Sequence, residues 1–412
     1  MHPASARRQL PTAMTSTPVA RCINEALPEE VFGVIFEEHA KLEWGAPLID
    51  GQVCRQWRQT ILCSPRAWAH LRIVYEFKSA PSKLHQWLDR SGSAPLHIKA
   101  IHWPGSLEEV LDQHCKRIQS ILLRGCHVAF LENRSFPILQ SLTIDSLTNE
   151  IPVIRCSPMP ALRFLQARSI SMGALPSNVF PPLRFLALFK SHDCDSIIRH
   201  SYHSLTSLML GYISMQDTSE SLEFPSLRFL SLHIVKNIKH RMNVPALTTY
   251  HESDIMEEES FPMSLPSLIE YGIYRPKDIS PFNVTKLHQC YPNISRLSTR
   301  ARPSNVRQLL HSLSGQPTAL PMLQILAVDV MYNSTPYSGE DKESMMNVVS
   351  VRNMASSVKM ELCFDGRARL PLYFGDVSVY INKYQSKLTS ILSTRILVFE
   401  GVSFILGLWP PC

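Results

Sequence analysis

The sequence predicts an α/β chain in two parts. A short helical unit lies near the N-terminus, and a long array of stacked repeats follows, with short parallel strands on its concave side. Three observations carry that expectation. A segment of the form apolar–Pro–x–Leu recurs along the chain, most copies run on into alternating apolar residues, and two amphipathic segments precede the first copy.

The recurrence organises the chain from Lys116 to about residue 340. FPILQSLTID begins at Phe136, MPALRFLQA at Met159, PPLRFLALF at Pro181 and FPSLRFLSL at Phe224. VPALTTYHE begins at Val244, LPSLIEYGI at Leu265, YPNISRLST at Tyr291 and LPMLQILAV at Leu320. KRIQSILLR from Lys116 and HSLTSLMLG from His203 fit the series without the proline. The leading apolar residues, from Ile118 to Leu323, lie 20 to 29 residues apart, which is the window of leucine-rich repeats. Eight of the ten copies carry proline two residues before that position, far more than chance placement of 30 prolines would give. Proline has no N–H for a ladder, so it belongs just outside a strand. Alternation such as Leu186-Ala187-Leu188 then puts leucines on one face. One such strand cannot bury its face alone, whereas stacked neighbours bury it together.

The other strand positions point out of the concave face, and their scattered aromatics and arginines suit protein recognition. Arg124, Asp145, Arg168, Phe189, His233, Arg296 and Arg300 are the candidates for contact with a target protein. Phe164, Phe185 and Phe229 each follow an arginine in equivalent slots, and packing on one another or under a covering tail suits them equally. Glu257-Glu258-Glu259 reads as a solvated loop. From about Asp341 the period is lost: Met345, Met346, Val349 and Met354 suggest a helix, and Val358 to Leu362 alternates like a strand. Arrays need atypical ends, so a cap is expected there.

In the first amphipathic segment, Ile23 to Trp44, Asn24 and Pro28 suit a helix start, and Glu29 and Glu30 sit near the positive end of the helix dipole. Val31, Ile35 and His39 share one stripe, with Phe32 and Phe36 on an adjacent one. The second segment, Gly51 to Leu71, repeats Val53, Trp57 and Ile61 at four-residue spacing, and Ser64-Pro65 ends the helix. Together the two segments resemble the F-box. Leu27-Pro28, Glu30, Val31 and Ile35-Phe36 match its first half; Val53-Cys54-Arg55-Gln56-Trp57-Arg58, Pro65 and Trp68 match its second. The linker Lys41 to Gln52 departs from the pattern, and Gly51 weakens the start of the last helix. Followed by leucine-rich repeats, the pair resembles the fungal family of F-box proteins with irregular repeats.

The resemblance implies a three-helix unit that docks on the Skp adaptor of a cullin–RING ubiquitin ligase, with cullin reached through the adaptor. It implies an adaptor face of Leu27, Pro28, Val31, Ile35, Phe36, Val53, Cys54 and Trp57, of which Val31, Ile35 and Trp57 would also suit a purely structural role. The expected organisation is a disordered tail over 1–22, the F-box-like helices over 23–72, the repeat solenoid over 73–340 and a cap over 341–412. The expected function is a substrate receptor of that ligase, with an unidentified protein as target. A protein-binding scaffold outside any ligase is the alternative.

Composition excludes little by itself, but it narrows the rest. The net charge of +6 comes without a Lys/Arg block, so nucleic acid is not an expected partner. The most apolar stretch, Ile396 to Trp409, is shorter than the roughly 20 residues of a membrane helix, and no secretory leader is evident, so neither a membrane nor export is expected. Ten scattered cysteines without C-x-x-C pairs read as reduced thiols of a cytoplasmic or nuclear protein. The sequons at Asn133, Asn283, Asn293 and Asn333 then read as chance matches. No phosphate loop, nucleophile elbow or zincin motif occurs, so no enzyme activity and no cofactor are expected. The densest polar run, His192-Asp193-Cys194-Asp195 with His200 and His203, reads as a loop between repeats rather than a metal site.

Overall fold

The computed structural model describes residues 27–74, 80–102, 108–125, 128–132, 134–146, 158–171, 181–213, 221–235, 242–253, 265–275, 283–301, 303–330, 350 and 361–365. The expectations for the tail 1–22, for Asn24, for Glu257 to Glu259, for Met345, Met346, Val349 and Met354, and for most of 341–412 lie outside the described residues. The chain divides into two compact units, Met1–Thr248 and Thr249–Cys412. It has the α/β architecture of a leucine-rich-repeat solenoid, in which successive repeats each add one parallel strand.

The first unit opens with helices α1 (Glu29–Leu42), α2 (Ala46–Asp50) and α3 (Arg55–Leu62) and a 3₁₀ turn, Pro65–Trp68. Strands β1 (His70–Val74), β2 (Leu96–Ile101), β3 (Ile118–Arg124), β4 (Ser141–Asp145), β5 (Phe164–Arg168), β6 (Phe185–Phe189) and β7 (Ser207–Gly211) follow. They pair in parallel in chain order. Helix α4 (Ala80–Arg90) connects β1 to β2, α5 (Glu108–Asp112) lies between β2 and β3, and α6 (Asp195–Ser201) lies between β6 and β7. Two-residue strands β8 (Leu222–Glu223) and β10 (Met242–Asn243) pair with each other, while β9 (Phe229–His233) extends the main sheet beside β7. Strands β1 and β2 precede the first copy of the repeat. Their sequences, HLRIV and LHIKAI, carry the alternation but not the proline.

The proline of the repeat has a more specific role than stopping the preceding segment. In most copies it is the second residue of a turn closed by the leucine N–H on the carbonyl three residues back. Leu162 donates to Met159 at 3.1 Å, Leu227 to Phe224 at 3.3 Å and Leu247 to Val244 at 3.1 Å. Proline presets the φ that this turn position needs. In these turns the apolar residue before the proline and the leucine after it are both buried, so one rigid corner anchors two core side chains. Leu142, Leu165, Leu186, Leu208 and Leu230 then stand in register on adjacent strands, each at most 1 % exposed.

Six strand ends among the described residues share one feature. His102, Gly125, Ser169, Lys190, Tyr212 and Ile234, one residue past their strands, all have positive φ. The Gly125 N–H donates to the Asp145 carbonyl at 2.8 Å, Ser169 to Phe189 at 2.8 Å, Lys190 to Gly211 at 2.8 Å and Tyr212 to His233 at 2.7 Å. The non-glycine members hold a conformation that costs about 1–2 kcal/mol apiece. The continued ladder offsets it.

Gly211 is required by a close approach. A Cβ there would lie 2.4 Å from the ring of Phe189 on the next strand. Gly211→Ala is expected to lower stability by about 1–3 kcal/mol, because a buried ring must leave its place. Chemical denaturation checks this, and an unchanged midpoint would mean that the ring swings aside freely.

The second unit contains β11 (Thr249–Ser253), β12 (Glu270–Arg275), α7 (Val284–Cys290), β13 (Arg296–Ala301), α8 (Pro303–Gly315), β14 (Ile325–Val330) and β15 (Glu361–Asp365). Its strands are parallel throughout. The last strand covers Glu361 and Leu362 of the expected alternation, and residues 358–360 lie outside the described residues. The same turns recur, with Leu268 donating to Leu265 at 3.1 Å and Leu323 to Leu320 at 3.0 Å. Here the inward column starts with Tyr250 and Tyr271 rather than leucine, and Glu252 faces the same core at 1 % exposure. The Tyr250 hydroxyl donates to the Glu252 carboxylate at 2.7 Å, and the Tyr271 hydroxyl donates to its other oxygen. Burial, then the nearby carboxylate, raises both phenols well above their ordinary range.

Candidate functional site

Two surfaces of the first unit collect most of the residues singled out by sequence: the three N-terminal helices and the outward face of the sheet.

Helix α1 begins at Glu29. Pro28 stands one position before it in an extended conformation, and its carbonyl accepts the N–H groups of Val31 at 3.1 Å and Phe32 at 3.3 Å. The helix has two apolar sides. Phe32, Phe36 and Ala40, four residues apart, are buried. Phe36 packs edge-on against Trp57 of α3 with centroids 5.2 Å apart, and Phe32 lies 5.7 Å from the same ring. Trp57 is therefore half-buried between the helices. Phe36, expected on the adaptor face, is instead 1 % exposed: its position on the helix turns it into the small core around Trp57.

The other side of α1 carries Val31, Val34, Ile35 and Leu42 into solvent, Leu42 at 87 % exposure. Leu48 and Ile49 on α2, Val53 in the turn after it and Leu62 at the end of α3 are exposed as well. Of the expected face, Pro28, Val31, Ile35 and Val53 are exposed and Leu27 is half-buried. Cys54 caps α3, its sulfur accepting the Trp57 N–H at 3.4 Å. Val34, Leu42, Leu48, Ile49 and Leu62 were not singled out by the motif, although Val34 lies three and Leu42 eleven positions from Val31, which puts them on its stripe. The loosely matching linker folds as α2 and is held to α1 by His39 Nδ1 and the buried Asp50 carboxylate at 2.9 Å. Trp68 ties the helices to the array. It is buried, donates to the Ile61 carbonyl at 2.9 Å, meets Trp87 edge-on at 5.1 Å and lies under the Arg90 guanidinium at 4.3 Å.

On the sheet, the candidate residues of the first unit form one row. Arg124, Asp145, Arg168, Phe189, Gly211 and His233 are register partners on consecutive strands. Asp145 lies between two guanidiniums, 3.6 Å from Arg124 Nε and 3.9 Å from Arg168 Nε. Burial nevertheless raises its carboxyl above the ordinary value, outweighing the two arginines that lower it. Phe189 and His233 depart from the expected open surface, at 8 % and 5 % exposure. Phe189 lies over Gly211, and His233 meets Tyr212 edge-on at 4.5 Å, so each fills the space above a neighbour. Burial lowers the His233 imidazole to about 4, so it is neutral at physiological pH. Phe164 and Phe185 pack together at 6.1 Å, and Phe229 stands two strands from Phe185 with Ser207 between. In the second unit, Arg296 Nε lies 3.5 Å from the Glu270 carboxylate, which also lies 3.6 Å from His251 Nε2. Arg300 lies on β13, with its side chain outside the described residues.

The polar run at His192 does not converge. Cys194 is buried and its thiol donates to the His192 carbonyl at 3.5 Å, while Asp193 accepts the Ser171 hydroxyl at 2.8 Å. Among the described residues no three His, Cys, Asp or Glu side chains come together as metal ligands would. No described helix is long and apolar enough to cross a membrane. Two of the sequon asparagines have local work: Asn283 caps α7 by accepting the Lys286 N–H at 2.9 Å, and Asn293 donates to the Pro266 carbonyl at 2.7 Å.

Burial pushes the Cys115 thiol up to about 11 and that of Cys194 to about 12. Both stay protonated at neutral pH, whereas Cys63 is exposed. Alkylation of the native chain at pH 8, read by peptide mass spectrometry, is expected to label Cys63 and spare Cys115 and Cys194 until denaturant is added. Equal labelling of all three would contradict the packing described.

No family model matches the chain, and no curated protein matches it. Among solved structures it is similar to a chain in a crystal structure of a TLR13–ssRNA13 complex, at 14 % identity and a TM-score of 0.32. That match covers 57 % of this chain, which spans 41 % of the other. The fold assignment rests on the repeats and their strand register.

Proposed function

We propose that this chain is a substrate receptor of a Skp–cullin–F-box ubiquitin ligase. In this reading α1, α2 and the start of α3 dock on the adaptor, and the outward face of the repeat sheet holds a target protein. The observation that carries it is the two-sided apolar character of α1. One stripe closes the small core around Trp57, while Val31, Val34, Ile35 and Leu42 stay in solvent together with Leu48, Ile49 and Val53. A helical unit of this size has no need of an exposed apolar stripe for its own stability, and such a stripe is what a partner would cover. Val31, Ile35 and Val53 of that surface also belong to the F-box-like pattern, which supports a Skp adaptor as the partner.

The chemistry then belongs to other subunits. The receptor raises the local concentration of a target lysine beside the charged conjugating enzyme, and tethering alone supplies the rate gain. It needs no acid, base or metal from this chain. The test is affinity purification of the full chain from its own cells. Adaptor and cullin together are expected, and adaptor without cullin would favour a scaffold outside the ligase. Absence of both would sink the reading.

A further inference from the structure

The described sheet begins at β1, which pairs with β2 alone and opens two residues after Trp68, where the N-terminal helices join the array. The first outward position of each of these two strands is a histidine. His70 and His97 are register partners, and their rings stack at 4.6 Å with 8° between the planes. His97 Nδ1 lies 3.1 Å from the hydroxyl of Ser120, its partner on β3. Both rings are half-buried. From α1, Lys41 acts on both rings and Glu37 on His97. Glu37 is itself held by Lys41 at 3.4 Å and by Arg66 of the 3₁₀ turn at 3.7 Å. Arg72 and Lys99 stand two residues further along the same strands.

Parallel imidazole faces stack as neutral rings, whereas two imidazoliums at that separation repel each other on a face that has lost part of its water. Burial, then His97, then Lys41 lowers His70 to about 3. Burial, then Lys41 lowers His97, with Glu37 working the other way. The Ser120 hydroxyl donates to a neutral His97 or accepts from a charged one, so it does not hold the ring in either form. We propose that the stacked His70–His97 pair is an acid-sensitive latch: proton uptake unstacks the rings and frees β1 from β2 at the point where the N-terminal helices join the array. Both imidazoles bind protons less readily when folded than when free. The latch therefore contributes fully above about pH 6.5, and its contribution is lost as the pH falls toward the folded values. For His70 alone, the open form gains about thirtyfold at about pH 5. An edge strand is the one to open first, because it gives up one ladder instead of two. The inference stands whether or not the chain is a ligase receptor.

The test is hydrogen exchange of the full chain, read by mass spectrometry at about pH 7.5 and about pH 5 and corrected for the intrinsic rate, with residues 70–74 compared against 164–168. Residues 70–74 are expected to lose at least about thirtyfold in protection at the lower pH, while 164–168 stay within about threefold. In His70→Phe/His97→Phe, which keeps two stacked rings without a proton site, the loss is expected to shrink to about threefold or less. Equal loss in parent and variant, or no loss in the parent, overturns the inference. If the variant is already unprotected at the higher pH, the parent's own histidines decide, because exchange of each imidazole C2 hydrogen reports that ring's titration. A midpoint for His70 below about 5 is expected, and midpoints near about 6.5 for both rings overturn the inference.

Discussion

Replacing Val31 and Ile35 together by aspartate is expected to abolish adaptor binding while leaving the chain folded. Both side chains stand in solvent on α1, Val31 at 39 % and Ile35 at 43 % exposure, so aspartate there buries no charge and opens no cavity. Across a docked interface the same change would place two carboxylates against an apolar surface. Two anchoring side chains worth about 2 kcal/mol each correspond to about a thousandfold in affinity. The informative companion is Phe36→Ala. Its ring closes the core against Trp57, so the variant is expected to lose about 3–5 kcal/mol and to lose adaptor binding through unfolding of the helices. Circular dichroism and thermal melting separate the two. If Val31→Asp/Ile35→Asp melts like the parent and still binds, the docking stripe is wrongly placed.

The second large effect is expected at Glu252. Its carboxylate is buried in the second unit and accepts hydrogen bonds from Tyr250 and Tyr271. Glu252→Ala would leave two phenol hydroxyls facing an apolar core together with a cavity, at a cost of about 3–5 kcal/mol. Replacing the three together, with Glu252→Leu, Tyr250→Phe and Tyr271→Phe, removes these two donors with their acceptor and is expected to recover much of that loss. Denaturant unfolding of the full chain measures both. A single Glu252→Ala variant within about 1 kcal/mol of the parent would mean that water reaches the hydroxyls.

The array is legible in the sequence because proline and leucine mark positions in it for separate physical reasons. Proline sets a turn, and leucine three residues after the turn's first residue enters the core, so the two recur together. Strands β1 and β2 escape that pattern because HLRIV and LHIKAI follow helical connections rather than a proline turn. On the outward face, alternation tells which side chains leave the core but not how much space stands above them. Phe189 and His233 look open in the sequence for that reason. Their burial comes from a glycine on the next strand in one case and from Tyr212 in the other, neighbours that lie a whole repeat away or beyond the strand end. Glu252 is hidden because a carboxylate at an inward position breaks the apolar pattern, and the hydroxyls of Tyr250 and Tyr271 help make it tolerable. In the helices, the F-box-like pattern marks the segment, but a stripe and its neighbour look alike in sequence. Phe36 goes to the core and Val34 to the surface because of where Trp57 sits.

Titration calorimetry of the purified full chain with a purified Skp adaptor tests most directly whether the N-terminal helices are an adaptor-docking unit. A one-to-one complex is expected with a dissociation constant of about a micromolar or tighter, lost in the Val31→Asp/Ile35→Asp variant. A folded chain that gives no heat of binding, or one whose binding survives that variant, would contradict it.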